Sequence, residues 1–452
     1  MSVTAPARHA AAAARMELPD SLQPFCQAPQ QFLLERVLAN GPAARFRMND
    51  EQFVVLGDPA SVHAVLNGDP ADFEKGALSD IPRMTLREGL VTVDGDGWSD
   101  QHAMLAPLFA RRRMKQLEPV VAEAVLRLVE AWSRLPAGEP VDVLSAARRL
   151  AFDVVAKGLL GIADATLADG LFDALVAADR MESVRLVYLA KRFGAGSRAG
   201  AGFDRSTHTE TFERLDRLAF AVADARLGRG AQHDDFVGAV MAHETFQAFA
   251  PERKRHFLRD LVATMLSAGY VTTGESVFWS LYLLARHPAA QRRAREELVA
   301  HDGAVAMETP PFLAAAFSES QRLYPPVWFL GRVARRDVRV GDLDIPAGTR
   351  VVCSPYVLHR LPALWPDPAA YRPERFLPGD AAAIVPRSHI PFGTGMRACL
   401  GRGLALMEMG ALVGATLARF DVSLVSDGPL SLAAAYSLHP REQVLFRLQA
   451  LA

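Results

Sequence analysis

Phe392-Gly393-Thr394-Gly395-Met396-Arg397-Ala398-Cys399-Leu400-Gly401 sets one cysteine among three glycines and leads into an apolar stretch that runs to about Arg419. The glycines permit tight backbone turns. The stretch after Gly401 reads as a helix, so Cys399 stands just ahead of a helix start, where backbone N–H donors and the positive dipole end face it. Both favour thiolate over thiol, and such donors tune the electron donation of a coordinated sulfur. One lone thiolate cannot build the usual four-ligand zinc site. It can be the single axial ligand of a haem iron. A structural cysteine beside a glycine turn is the other reading of this residue taken alone.

Two further motifs stand upstream: Glu319-Ser320-Gln321-Arg322 and, between it and the cysteine, Pro373-Glu374-Arg375-Phe376. Residues i and i+3 share a helix face, and a carboxylate buried with two guanidinium groups can hold bidentate, charge-assisted hydrogen bonds. Such a network of Glu319, Arg322 and Arg375 would lock the loop carrying Cys399 against a helical core. In this order the three motifs resemble those of the cytochrome P-450 family: Phe-x-x-Gly-x-Arg-x-Cys-x-Gly at every fixed position, the Glu-x-x-Arg helix, and the Arg-bearing loop. The resemblance covers roughly residues 40–448. It implies a mainly α fold with small antiparallel β-sheets, a triangular helical prism around a buried haem. It also implies heme b (iron protoporphyrin IX) as cofactor, with Cys399 as axial thiolate and Phe392 beside it.

The most apolar segment, Leu261–Gly274, holds fourteen uncharged residues between Asp260 and Glu275, short of the roughly 18–20 that a bilayer span needs. It reads as part of a buried core helix from Pro251 to about His287, roughly 55 Å long at 1.5 Å per residue, with no membrane anchor. This helix carries Ala268-Gly269-Tyr270-Val271-Thr272-Thr273, similar to the family's Ala-Gly-x-acid-Thr-Thr over the distal face of the haem. The resemblance makes Thr272 a proton-relay residue and Ala268-Gly269 the small pair that lets dioxygen sit against the helix. Val271 departs from the pattern, because valine cannot shuttle protons. Water and a substrate hydroxyl, or another residue, must then complete the relay, or the chemistry is unusual. Glu275, three residues past Thr272, is a substitute candidate.

The resemblance also gives Trp98 and His102, Arg332 and Arg397 as haem-propionate contacts. His102 replaces the usual Arg, so a permanent charge becomes pH-dependent. It further implies substrate-facing residues: the 76–93 loop, Met181–Leu189, Tyr270, Val271, Val327-Trp328-Phe329 and Tyr436-Ser437-Leu438. Most are apolar or aromatic, which suits a hydrophobic small molecule. Arg111-Arg112-Arg113-Met114-Lys115 reads as a docking face for an acidic electron donor, of ferredoxin or flavodoxin type.

Composition narrows the class. Of 452 residues, 50% are hydrophobic and 22% charged, which excludes disorder over most of the chain. Lys+Arg number 50 and Asp+Glu 51, for a net charge of -1, so no nucleic-acid-binding surface is expected. Three cysteines cannot form a disulfide framework at this size and fit a reducing, cytoplasmic location. Residues 1–30 read as a flexible N-terminal tail and 31–452 as one domain. Ala44–Met48 and Gln52–Leu56 read as a hairpin around Asn49-Asp50, 76–97 as a long loop, and Gly194–Gly202 as a mobile connector. Residues 332–353 read as short antiparallel strands. A Pro-broken irregular stretch fills 361–392.

The expectation is a soluble bacterial haem-thiolate monooxygenase of secondary metabolism. It would insert one oxygen atom from dioxygen into a hydrophobic small molecule, with electrons from separate partners. The alternatives are peroxide-driven oxidation, isomerase or dehydratase chemistry without oxygen activation, or a non-catalytic haem-binding protein.

Overall fold

The apolar run at Leu261–Gly274 is the middle of a 36-residue helix, Pro251–Arg286. Proline at its first position costs no hydrogen bond, and Pro288 opens the next helix, Pro288–Ala300, after a one-residue break at His287. From Leu258 to Leu284 the long helix is buried on almost every side, as its apolarity requires. The computed structural model describes residues 21–48, 51–76, 80–180, 205–230, 235–300, 309–428, 430–434 and 437–451. The first twenty residues, the Asn49-Asp50 turn, Met181–Leu189, the Gly194–Gly202 connector and Tyr436 lie outside them.

Helices Val143–Val154, Arg205–Arg229, Pro311–Leu323 and Arg402–Arg419 pack on the long helix. Gly274 marks the closest crossing: a Cβ there would stand 2.8 Å from the Arg148 backbone. At the far end Trp279 stacks on Tyr324 at 4.0 Å, and its Nε1 donates to the Leu438 carbonyl at 2.9 Å.

A second core lies around a five-stranded sheet of order β1-β2-β7-β4-β3. Here β1 is Ala43–Met48, β2 Glu51–Leu56, β3 Phe73–Glu74, β4 Leu330–Ala334 and β7 Arg350–Cys353; β5 (Val338–Val340) and β6 (Leu343–Ile345) pair separately. The hairpin forms with Ala44 opposite Val55. The 332–353 strands are not all antiparallel in their pairing, because β7 runs parallel to β2 with Val54 opposite Val351. Two segments separated by some 300 residues can pair that way without a tight turn.

Two further expectations are corrected. Helices Leu22–Gln27 and Pro29–Asn40 occupy residues read as the end of a tail, and Leu22, Phe25 and Phe32 pack on the sheet core. The 76–97 loop contains the helix Asp80–Leu86, and the helix bearing Trp98 begins at Gly95. Residues Val155–Leu159 form a π-helical turn continuing Val143–Val154, a deviation that sequence periodicity does not announce. Among the described residues no helix is long and apolar enough to cross a membrane.

Candidate functional site

A cavity of about 440 Å³ opens between the long helix, the segment carrying Val91 and the cysteine loop. The loop is shaped by its glycines. Gly393 and Gly395 take φ of +70° and +78°, and a Cβ on Gly395 would stand 3.0 Å from the Leu66 carbonyl. The Cys399 N–H donates to the Phe392 carbonyl at 2.9 Å, and the helix Arg402–Arg419 follows at once. Cys399 is accessible from the cavity. Burial nonetheless raises its thiol above the ordinary range, opposed by the N–H groups of Gly401 and Arg402 and by the Arg402 charge. The donors expected from the helix start are present, but desolvation outweighs them. A metal ion beside the sulfur is what would deprotonate it outright, so the residue suits a metal ligand better than a free nucleophile.

What holds the loop is the three-residue network. Arg322 Nε and Nη2 donate to the two Glu319 oxygens at 2.7 and 2.8 Å, and both side chains are fully buried. Arg322 Nη1 donates to the carbonyls of His359 and Pro368 at 2.8 Å each, and Nη2 to that of Ala370 at 3.0 Å. Glu319 Oε1 accepts from the Arg372 N–H at 2.9 Å and pairs with Arg375 at 3.4 Å. The pairing is therefore internal, not the exposed i,i+3 kind that contributes little. Two histidines complete it. His359 Nε2 accepts from the Ile390 N–H at 2.9 Å, and His389 contacts the Ser318 carbonyl at 3.2 Å. Burial keeps both neutral, His359 well below the usual range and His389 down to about 3.

Positive charge gathers at one end of the cavity. Arg397 donates to the Val93 carbonyl at 3.0 Å and to Asp94 at 2.6 Å, and lies 4.5 Å over the Trp98 ring. Trp98 stacks on His102 at 4.7 Å. Arg332 is buried, and its own Gly331 carbonyl accepts from it at 2.8 Å. Sequence reasoning missed Lys75, which lines the same wall and donates to the Val91 carbonyl. Burial and the charges of Arg397 and Arg332 bring its amine down to about 7, against the pull of Asp94. Arg397 is lowered to about 10, first by burial. These cations share one carboxylate, Asp94, and a dianionic group there would favour their charged forms. The Phe-Glu-Lys run at 73–75 stands just ahead of the stretch read as loop, and no motif there singles out Lys75.

On the long helix, Ala268, Gly269, Thr272, Thr273 and Ser276 line the cavity. The Thr272 hydroxyl donates to the Ala268 carbonyl at 2.8 Å, leaving its lone pairs as acceptors. Gly269 is small because the π-helical turn presses on it: a Cβ would stand 2.7 Å from Val155 Cγ2. Much of the remaining wall is apolar, with Leu90, Leu159, Met265, Val327, Trp328 and Phe329, and Thr264, Gln321 and Glu408 add polar groups to it. The segment above it is fastened by buried Arg259, which donates to the Thr85 carbonyl at 3.0 Å and pairs with Asp260 at 3.0 Å.

Four expected pocket residues lie elsewhere. Tyr270 is fully buried against Phe152 and Phe172 with its hydroxyl on Asp179. Val271 belongs to the helical core. The Ser437 hydroxyl donates to Glu275 at 2.7 Å, and Leu438 packs in the sheet core. Position 270 is turned about 160° from Thr272 at 100° per residue, which aims it away from the cavity, whereas Val271, turned about 100°, is packed into the helical core.

The comparisons agree with this geometry. A family model described as Cytochrome P450 matches residues 27–442. The chain is 29% identical over 402 residues to the cyclooctat-9-en-7-ol 5-monooxygenase of Streptomyces melanosporofaciens, covering 86% of this chain and 84% of that protein. It is 31% identical over 361 residues to the mitochondrial 25-hydroxyvitamin D-1 alpha hydroxylase of Homo sapiens, covering 74% and 70%. A crystal structure of a cytochrome P450 superposes with a TM-score of 0.77 over 94% of both chains, at 20% identity, a likeness of fold. The chain thus belongs to the cytochrome P450 family, as a monooxygenase that carries haem on a cysteine thiolate and takes a small-molecule substrate and electrons from a separate partner.

Proposed function

We propose that this chain inserts one atom of dioxygen into an unactivated bond of an apolar small molecule, in cytoplasmic secondary metabolism, as a single domain. One observation carries the reading: a single cavity brings together the Cys399 thiol, the Thr272 hydroxyl, an apolar wall and a cationic end. These residues fit heme b: Cys399 would hold its iron, and Trp98, His102, Arg332, Arg397 and Lys75 would hold its propionates. When bound, the haem supplies dioxygen activation, which takes two electrons and two protons and sends the second oxygen atom to water.

The chain's own residues do the rest. The Gly401 and Arg402 N–H groups temper electron donation from the sulfur. Ala268 and Gly269 leave room beside Thr272, whose hydroxyl positions a proton. Val327, Trp328 and Phe329 hold the substrate and exclude water. Thr272→Ala is expected to leave reduction intact while most reductant is lost as hydrogen peroxide, read as product formed per NADPH consumed with a surrogate ferredoxin and its reductase. Unaltered coupling would remove Thr272 from the role. Product formed only with added peroxide would favour the peroxide-driven alternative.

A ferredoxin- or flavodoxin-type donor fits the basic helix Arg111–Lys115. Met114 packs beside Gly403, four residues from Cys399, so the exposed Arg112 and Lys115 lie on the sulfur's side of the molecule. Charge reversal at Arg112 or Arg113 is expected to slow reduction by such a donor about tenfold at low salt, with the difference closing at high salt. Equal rates at low salt would contradict the docking face.

A further inference from the structure

The cavity reaches well beyond Thr272. Phe25, on the helix Leu22–Gln27, and Pro82, on the helix Asp80–Leu86, both line it. The long helix sets the scale. Gly89 leaves the place of a Cβ to the Thr264 hydroxyl, and the Thr85 carbonyl accepts from Arg259 at 3.0 Å. The segment therefore runs along the helix, away from Thr272 and toward Pro82. About 20 Å of helix separates Arg259 from Thr272 at 1.5 Å per residue. Phe25 reaches the cavity from the sheet side. The Ser21 N–H donates to the Arg47 carbonyl at 2.9 Å, which ties the start of its helix to β1, and its ring meets Phe32 edge-on at 6.0 Å. Phe329 also lines the cavity and packs on the same sheet core, so the apolar lining extends from Phe329 to the N-terminal helix.

Charge is confined to other parts of the wall. Lys75, Arg332 and Arg397, with His102, stand at the cationic end, and Glu408 is on the helix that follows Cys399. Among the described residues no charged side chain from the helices of Phe25 and Pro82, or from Val327–Phe329, lines the cavity. The whole space is about 440 Å³ and must take the porphyrin as well, so what remains over that length is narrow.

We propose that the outer part of the cavity, bounded by Phe25 and Pro82, is a hydrocarbon-chain subsite. The substrate is an elongated molecule with an uncharged far end that rests on Phe25 while its reacting carbon lies by Thr272, and Phe25 is a specificity-determining residue. This rests on the monooxygenase reading of the cavity given above. A charged tail would leave water for a wall with no counter-charge, which is costly. A compact fused-ring molecule would leave the outer part unfilled and forfeit its contacts. Each CH₂ of a chain that fills it gains about fourfold in affinity.

N-alkylimidazoles from butyl to dodecyl measure this on the haem-loaded protein. The free ring nitrogen binds the iron, the chain runs outward from it, and binding is read from the Soret shift. For the wild type, Kd is expected to fall about fourfold per added CH₂ until the chain passes Phe25. Phe25→Ala should bind the butyl compound as the wild type does and the dodecyl compound about tenfold more weakly. Chains ending in a carboxylate should bind the wild type more weakly than methyl-ended ones. Phe25→Arg should recover the long carboxylate-ended chain by about tenfold and leave the short one unaltered. If Phe25→Ala does not fold, the wild-type length series and Phe25→Arg decide. A wild-type Kd that stops falling by the hexyl compound overturns the proposal. So does an equal effect of Phe25→Ala on short and long chains, or tighter wild-type binding of the carboxylate-ended chains. A wild type that takes up no haem contradicts the proposed function instead. The length series then decides for Phe25 through quenching of tryptophan fluorescence in the haem-free chain, with Trp328 in the cavity wall.

Discussion

Cys399→Ala is expected to abolish the red-shifted Soret band of the reduced carbon monoxide complex while the chain still folds. The sulfur lines a cavity and fills no packed interior position: the Cβ that Gly401 lacks would stand 3.8 Å from it. Its removal therefore takes little packing energy. Neither of the other two cysteines replaces it. Cys353 is fully buried in β7, with its thiol pushed up to about 12 by burial, and Cys26 lies on the helix Leu22–Gln27. Among the described residues no group of three His, Cys, Asp or Glu side chains could hold a metal ion. Cys399→His should keep colour without the red shift, because the ligand atom becomes nitrogen. A red-shifted band in Cys399→Ala would show that the sulfur is not the ligand.

Glu319→Ala is expected to cost about 3–5 kcal/mol of stability, the usual loss when one partner of a buried pair is removed. It would leave the fully buried Arg322 charge met only by the carbonyls of His359, Pro368 and Ala370. It would also leave the Arg372 N–H without its acceptor. The loss is a large part of a typical 5–15 kcal/mol total. Arg322→Lys should cost nearly as much, since one ammonium has three donors and cannot meet the bidentate carboxylate and three carbonyls together. Denaturant unfolding of the haem-loaded protein measures both. A loss below about 1 kcal/mol would mean that the pair behaves as an exposed one.

The sequence reading reached furthest where chemistry and periodicity are local. The glycine-bracketed cysteine, the Glu319–Arg322 spacing and the apolar run of the long helix each announce their structure within a few residues. Tyr270 is turned from Thr272 by helix geometry alone, whereas Val271 stands no further round than Thr273, which lines the cavity, and only the packing of the core decides its place. Ser437 and Leu438 could not be read locally: their positions depend on Glu275 and Trp279, some 160 residues earlier. Lys75 acquires meaning only when β3 brings it beside Arg332 and Arg397. The π-helical turn at Val155–Leu159 reflects close packing against Gly269, and no periodic signal marks it. The parallel pairing of β2 with β7 is likewise long-range.

X-ray absorption at the iron edge of the purified, haem-loaded wild-type protein tests the central claim most directly. The account predicts one sulfur scatterer in the iron's first coordination sphere, lost in Cys399→Ala. An iron ringed only by nitrogen and oxygen in the wild type would contradict it.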